Sequence, residues 1–103
     1  MHSSLKNPED CCSMAEVRAG VDQTDKDLFA LLTRRFAFMR AAARIKEDRS
    51  AVRDEERKAE VIRAIVDAAQ EAGLPANAIG AIWNDLVETS IAYEMDEWDR
   101  LRR

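Results

Sequence analysis

The sequence predicts an all-α chain of three helices, in which a very long first helix forms an intertwined homodimer. Helix-forming residues dominate the 103 residues, with 47% hydrophobic but only 6% aromatic side chains, which is typical of a small helical domain. The two prolines stand at positions 8 and 75, so neither interrupts the long helical stretch that begins near residue 14. Along that stretch, apolar residues recur with the spacing of a coiled-coil seam. We expect residues 1–103 to form one domain, with residues 1–13 as a flexible lead-in.

The first helix is predicted from Met14 to about Glu47, with Ser13 as its N-cap and Glu16 completing a capping box. Its two seam columns are Met14, Val21, Leu28, Arg35 and Ala42, and Val17, Thr24, Leu31, Phe38 and Ile45. A helix of about 34 residues is about 50 Å long, whereas a compact chain of about 100 residues has a radius of gyration of about 13 Å. One chain cannot bury such a seam, so a second copy is the expected partner.

Arg35 interrupts the apolar seam, where a guanidinium is stable only when an anion pairs with it. Two alternatives stay open at this point: a small anionic ligand, or an ion pair with an acid on a neighbouring helix. Lys46 follows eleven residues later and therefore shares the face of Arg35, about 16 Å further along the helix. Arg18 lies about 25 Å from Arg35 in the opposite direction. It therefore reaches the same site only from the partner of an antiparallel dimer.

Two shorter helices follow residues 47–53, a polar stretch that we interpret as a short loop able to act as a lid. The second helix begins near Asp54 as N-cap and ends at Gly73 as C-cap, and the third runs from around Pro75 to about Leu101. The predicted buried stripe of the third helix consists of Ile79, Ile82, Trp83, Leu86, Val87, Ser90, Ile91 and Tyr93. Ser90 and Glu94, one turn apart, share that face. A serine there usually bonds to a carbonyl one turn back, whereas a glutamate needs a cation or a proton.

The charge distribution excludes some classes of function. A formal charge of -4 and a pI of about 5.0 do not suit a nucleic-acid binder. Nine of the sixteen basic residues nevertheless fall between positions 34 and 58, which indicates a pocket for a small anion. The adjacent Cys11 and Cys12 are expected to be free thiols, and His2, the single histidine, has no companion residues for a site. Without a signal peptide or an apolar membrane span, we expect a cytoplasmic location and no membrane contact.

A set of polar residues is distributed in a defined order along the chain. It consists of Arg18 in VRAGVDQTD, Arg34 and Arg35 followed by Lys46, Asp54 and Arg57 in VRDEER, and Ser90 with Glu94. The set resembles the all-helical (AroQ-type) chorismate mutases, and the resemblance extends from Pro8 to Leu101. The PEDC lead-in, the short loop and the WDR ending look like the isochorismate-pyruvate lyase branch of that family, whereas Asp54 and Ser90 follow the mutase pattern. Lys58 stands where many mutases have a glutamate that bonds the ring hydroxyl of the substrate.

The resemblance implies a chorismate mutase that makes prephenate for aromatic amino acid or related secondary biosynthesis. It further implies that Arg35 and the Arg18 of a partner chain clamp substrate carboxylates, with Asp54, Arg57 and Ser90 as further binding residues. Lys46 would donate to the ether oxygen, where negative charge develops. Because the rearrangement is concerted, no nucleophile, metal or cofactor is required. We hypothesise that Glu94 is protonated in the working enzyme, because an ionised carboxylate cannot donate to an ether oxygen.

Two alternatives accompany this prediction. An isochorismate-pyruvate lyase would use the same pocket on isochorismate and release salicylate and pyruvate. A non-catalytic helical dimer would bind a metabolite or a partner enzyme, with its polar seam residues serving only pairing specificity. An Arg35 paired with an acid of its own chain would favour this last alternative.

Overall fold

The computed structural model describes residues 5–103 and confirms the all-α, three-helix architecture. The helices are α1 (Met14–Ile45), α2 (Glu55–Glu71) and α3 (Ala76–Leu101), and short 3-10 turns lie at Pro8–Asp10 and Arg49–Ala51. His2 lies outside the described residues. None of the helices within residues 5–103 is long and apolar enough to cross a membrane.

The start of α1 is fixed by local hydrogen bonds of the predicted kind. The Ser13 hydroxyl accepts from the Glu16 N–H at 3.2 Å, which confirms Ser13 as the cap. The Glu16 carboxylate accepts from the N–H of Cys12 at 2.8 Å, one residue before the position that the capping box predicts. This hydrogen bond, together with Lys6 at 3.1 Å, lowers the pKa of Glu16. The lead-in is thereby tied to the first turn of α1.

The chain divides into two compact units, one ending at Arg35 and the other comprising Phe36–Arg103. In the first unit, α1 leaves its large seam side chains exposed. These are Met14, Val17, Val21, Leu28 and Leu31. Phe38 and Ile45, the seam residues at the end of the helix, are also exposed. The apolar side chains that the predicted dimer would bury are therefore exposed on the single chain.

In the second unit, α2 and α3 form a hairpin. Gly73 adopts a φ of 72°, a left-handed conformation that favours glycine. The N–H groups of Gly73 and Leu74 donate to the carbonyls of Gln70 and Ala69 at 3.2 and 2.9 Å. These two bonds form a Schellman motif that ends α2 where the glycine predicts. The turn directs α3 back along α2.

The two hairpin helices approach closely at one glycine. A Cβ atom placed on Gly80 would lie 2.9 Å from Val66 Cγ2, so only glycine fits without a shift of the neighbouring side chain. Val87 is also buried on α3, as predicted. Ile82 is 57% exposed, so its assignment to the buried stripe was wrong. The stripe passes through Gly80 and Val87 instead, which leaves Ile82 on another side of the helix.

The last turns of α1 are held against α3. The rings of Phe36 and Tyr93 meet edge to face with centroids 5.0 Å apart, and the Arg40 guanidinium donates to the Tyr93 hydroxyl at 2.9 Å. Ala43, the one fully buried residue of α1, lies in this segment. α3 therefore supplies the surface on which the end of α1 rests.

Candidate active site

Lys46 and Glu94 meet in the second unit, as the sequence predicts. Lys46 is the first residue after α1, and its Nζ lies 2.7 Å from Glu94 Oε2. The Glu94 side chain is only 5% exposed, whereas that of Lys46 is 30% exposed. A carboxyl group with so little access to water requires a partner, and the lysine provides it. The arrangement places one ammonium group at the boundary between a buried acid and solvent.

The backbone of Lys46 is also held by α3. The Trp98 indole N–H donates to the Lys46 carbonyl at 3.0 Å, and the Arg102 guanidinium donates to the same carbonyl at 2.8 Å. The guanidinium lies 4.1 Å from the centroid of the Trp98 ring. Neither Trp98 nor Arg102 is among the site residues predicted from the sequence. The one available signal was the spacing of Glu94, Trp98 and Arg102, which are four residues apart and so share a helix face.

Ser90 lies one turn before Glu94 on the same face of α3 and is buried. Its hydroxyl donates to the Leu86 carbonyl at 2.7 Å, which confirms the backbone bond that a serine on a helix face usually makes. A contact between this hydroxyl and a substrate stays a prediction.

Asp54 and Arg57 occupy the N-terminal end of α2 and face solvent. The Asp54 carboxylate accepts from the Arg57 backbone N–H at 3.0 Å, which confirms its role as N-cap. The Arg57 guanidinium pairs with Glu60 at 3.3 Å, and its side chain is 70% exposed. Among residues 5–103, neither hydrogen-bonds to Lys46 or Glu94. Their roles toward a substrate stay predictions.

Arg18 and Arg35 belong to α1 in the first unit. Arg18 is exposed, whereas Arg35 is half-buried. Arg35 is predicted to act with Lys46 of its own chain, and Arg18 is predicted to reach that site from a second copy. Both stay predictions.

A second charged cluster joins the loop after α1 and the start of α2 to α3. The Arg53 guanidinium holds the Glu88 carboxylate with two bonds of 2.8 and 3.1 Å, and Lys58 Nζ reaches it at 2.7 Å. The hydrogen bonds from Arg53 and Lys58 lower the pKa of Glu88 to about 2. Lys58, the residue that departs from the mutase pattern, is thus engaged with an acid of its own chain.

The loop is attached at a second point as well. Arg49 holds Asp99 with two bonds of 2.8 and 3.0 Å, and these bonds lower the pKa of Asp99. Within residues 5–103, no group of three or more His, Cys, Asp or Glu side chains is arranged to hold a metal ion. Ion pairs at Glu88 and Asp99 thus attach the segment between α1 and α2 to α3.

Comparison with known proteins identifies the family of the chain. The family model described as "Chorismate mutase type II" matches residues 17–95, a range that includes Arg18, Arg35, Lys46 and Glu94. The isochorismate pyruvate lyase of Pseudomonas aeruginosa is 31% identical over 98 residues, which cover 95% of this chain and 97% of that protein. The chain therefore belongs to the chorismate mutase type II family.

Proposed function

We propose that this protein is a chorismate mutase, which rearranges chorismate to prephenate in the cytoplasm for aromatic amino acid or related secondary biosynthesis. The observation that carries the proposal is the pair of Lys46 and buried Glu94, with Nζ 2.7 Å from Oε2. It combines a cationic donor with an acid of low solvent access on the face of α3 that also carries Ser90. A concerted rearrangement needs donors aimed at the oxygen on which charge develops, and it needs no nucleophile.

In this proposal, Lys46 donates to the ether oxygen of the substrate as the carbon–oxygen bond breaks. A lysine suits this task because its ammonium is a compact charge with three donors, one of which can stay with Glu94. Protonated Glu94 keeps Oε2 as the acceptor for Lys46, and its hydroxyl donates a second hydrogen bond. The buried carboxyl thus orients the lysine and contributes to the stabilisation of the transition state.

The remaining binding residues come from α1 of two chains. Burial of the exposed seam of α1 against a second copy removes a large apolar surface from water, so we propose a homodimer. Arg35 of one chain and Arg18 of its partner then clamp the substrate carboxylates, because the fork of a guanidinium matches a carboxylate. Arg57 and Asp54 at the start of α2 complete the binding site, together with the Ser90 hydroxyl.

The alternative activity is that of an isochorismate-pyruvate lyase. It is favoured by the named relative in Pseudomonas aeruginosa, which matches over 97% of its own length. The engagement of Lys58 with Glu88 at 2.7 Å also fits an altered preference at the ring hydroxyl. Both reactions need the same donor at the ether oxygen, so they differ in substrate rather than in machinery.

A paired assay on the purified protein tests the proposal. Chorismate and isochorismate are supplied separately, and prephenate, salicylate and pyruvate are followed in each reaction. Efficient formation of prephenate with little salicylate is the expected result, and the reverse outcome would assign the lyase. Inactivity toward both substrates at acidic and neutral pH would contradict the proposal and favour the non-catalytic dimer.

A further inference from the structure

From the contacts at the end of α1, we infer that Trp98 and Arg102 are positioning residues that set the geometry of Lys46. The inference rests on the proposed function, because it gives Lys46 its catalytic task. Trp98 and Arg102 themselves act on the lysine backbone and on the last turn of α1. We call this pair of side chains the α1 cap.

The α1 cap satisfies backbone groups that a helix end leaves open. The last carbonyls of any α-helix have no partner within the helix. In α1, the Ala42 carbonyl still accepts from the Lys46 N–H at 2.9 Å. Arg102 donates to the carbonyls of Ala43 at 3.0 Å, Arg44 at 3.4 Å and Lys46 at 2.8 Å. A cation at this position also interacts favourably with the negative end of the helix dipole.

Both ends of Lys46 are held by one face of α3. Its side chain donates to Glu94, and its carbonyl accepts from Trp98 and Arg102. These three residues are spaced by four and so line a single face. Lys46 is also the residue at which α1 gives way to the polar loop. Without the α1 cap, the backbone of Lys46 would be free to move with that loop, and the Nζ would lose its fixed position.

The ring stack within the cap explains why two residues are needed. The Trp98 ring lies against the Arg102 guanidinium at 4.1 Å, which restricts the long arginine side chain. The indole N–H and the guanidinium both donate to the Lys46 carbonyl, which has two lone pairs and can accept both hydrogen bonds. A phenylalanine at position 98 would keep an aromatic ring for the guanidinium, but it would remove the N–H together with the second ring of the indole. Trp98→Phe is therefore the mildest change that loosens the backbone of Lys46.

Steady-state kinetics on the full chain provide the first test. Misplacement of a catalytic group by about 1 Å can cost about 100-fold in rate, so we expect kcat to fall about 5-fold in Trp98→Phe and about 20-fold in Arg102→Gln. KM should stay within about 2-fold, because Lys46 acts mainly on charge that develops in the transition state. Arg102→Lys should recover part of the loss. The matched control is Arg100→Gln, in the last turns of α3, whose exposed guanidinium pairs with Glu97.

A double-mutant cycle separates positioning from a general structural role. Trp98→Phe and Arg102→Gln are each combined with Lys46→Gln, and kcat is compared in the two backgrounds. If the α1 cap acts through Lys46, loss of the cap should lower kcat by less than about 2-fold in the Lys46→Gln background. Equal loss of kcat in the Lys46 and Lys46→Gln backgrounds would overturn the inference. Helix content and thermal unfolding of each variant establish that it folds.

An NMR measurement tests the same inference without any activity. The chain has only four lysines, at positions 6, 26, 46 and 58, so isotope-labelled lysine gives a spectrum of four side chains. We expect the signal of Lys46 to move toward that of exposed Lys26 in Trp98→Phe and Arg102→Gln, while Lys58 stays unchanged because Glu88 holds it. An unchanged Lys46 signal in both variants would overturn the positioning role. If the wild-type protein converts neither substrate, the proposed function fails, and this spectrum alone decides the role of the α1 cap.

Discussion

The two ends of α1 have different surroundings, although one apolar pattern runs along the helix. Up to Arg35, the helix carries exposed seam residues and two arginines that we propose act with a second chain. After Phe36, the helix is held by Tyr93, and its last carbonyls are held by Arg102. One end is thus held within the chain, whereas the other leaves exposed the seam that we propose a partner chain covers.

The candidate site therefore has two parts, which are positioned in different ways. Lys46 and Glu94 are set by packing within the second unit, so their geometry does not require dimerisation. In the proposed homodimer, Arg18 and Arg35 clamp a substrate only when a second copy pairs with the seam, so substrate binding is expected to depend on protein concentration. The predictions below test each half of this division.

The largest effect is expected at Lys46, at the end of α1 that α3 holds within the chain. Lys46→Gln keeps an amide that can donate to Glu94 but removes the positive charge. Loss of one such donor to a developing charge should lower kcat by about 100- to 1,000-fold. Steady-state rates with chorismate and isochorismate measure the loss. Lys26→Gln, an exposed lysine of the first unit, serves as the control, and an equal loss there would show that Lys46 has no special role.

The next prediction tests the proposed contribution of Arg18 from a partner chain. Arg18→Ala and Lys46→Gln should each lower the rate by about 100-fold or more when present alone. Random mixing of the two gives heterodimers in half of the molecules, and each heterodimer contains one intact site. The mixture should therefore recover about a quarter of the wild-type rate. Recovery is measured after the two chains are coexpressed. A mixture no more active than its components would show that Arg18 does not act across a dimer.

The third prediction concerns the proton on Glu94. If the protonated acid is the donor, activity falls as pH rises, because the ionised form cannot donate. Glu94→Gln retains an N–H donor at every pH, so its rate should vary by less than about 2-fold over the range in which the wild-type rate falls. The pH dependence of kcat for both proteins measures this. A Glu94→Gln profile with the same slope as the wild type would exclude the hypothesis.

Sequence reasoning succeeded where the determinants are local. Ser13, Asp54 and Gly73 mark helix ends because caps and left-handed turns act over a few residues, and the structure places all three as predicted. The family resemblance places Lys46 and Glu94, 48 residues apart, at one ether oxygen, but the ion pair between them was not part of that prediction. The fold class and the helix ends were therefore accessible from the sequence, and the site roles stay predictions.

The rest depends on tertiary contacts that no local pattern encodes. Arg102 reaches the Ala43 carbonyl across 59 residues, and Arg53 finds Glu88 across 35. Periodicity indicates which side chains share a face, but it does not indicate which carbonyl or carboxylate lies opposite. Ile82 shows the same limit in the core, because its apolar character alone suggested burial that the packing of α2 does not provide.

The smallest effect is expected at Glu88, in the cluster that ties the loop to α3. Its pKa is lowered from 4.5 to about 2 in the folded chain, so it stabilises the fold above pH 4.5, and this contribution is lost as the pH falls toward 2. Because the Glu88 side chain is 37% exposed and water screens its ion pairs, we expect the wild-type Tm to drop only about 2 °C more than that of Glu88→Gln across this interval. Thermal unfolding at closely spaced pH values measures the difference, with Glu60→Gln on the exposed face of α2 as control. Parallel Tm curves for wild type and Glu88→Gln would show that the ion pairs of Glu88 add nothing to the stability of the second unit, whose order would then rest on the apolar packing of α3.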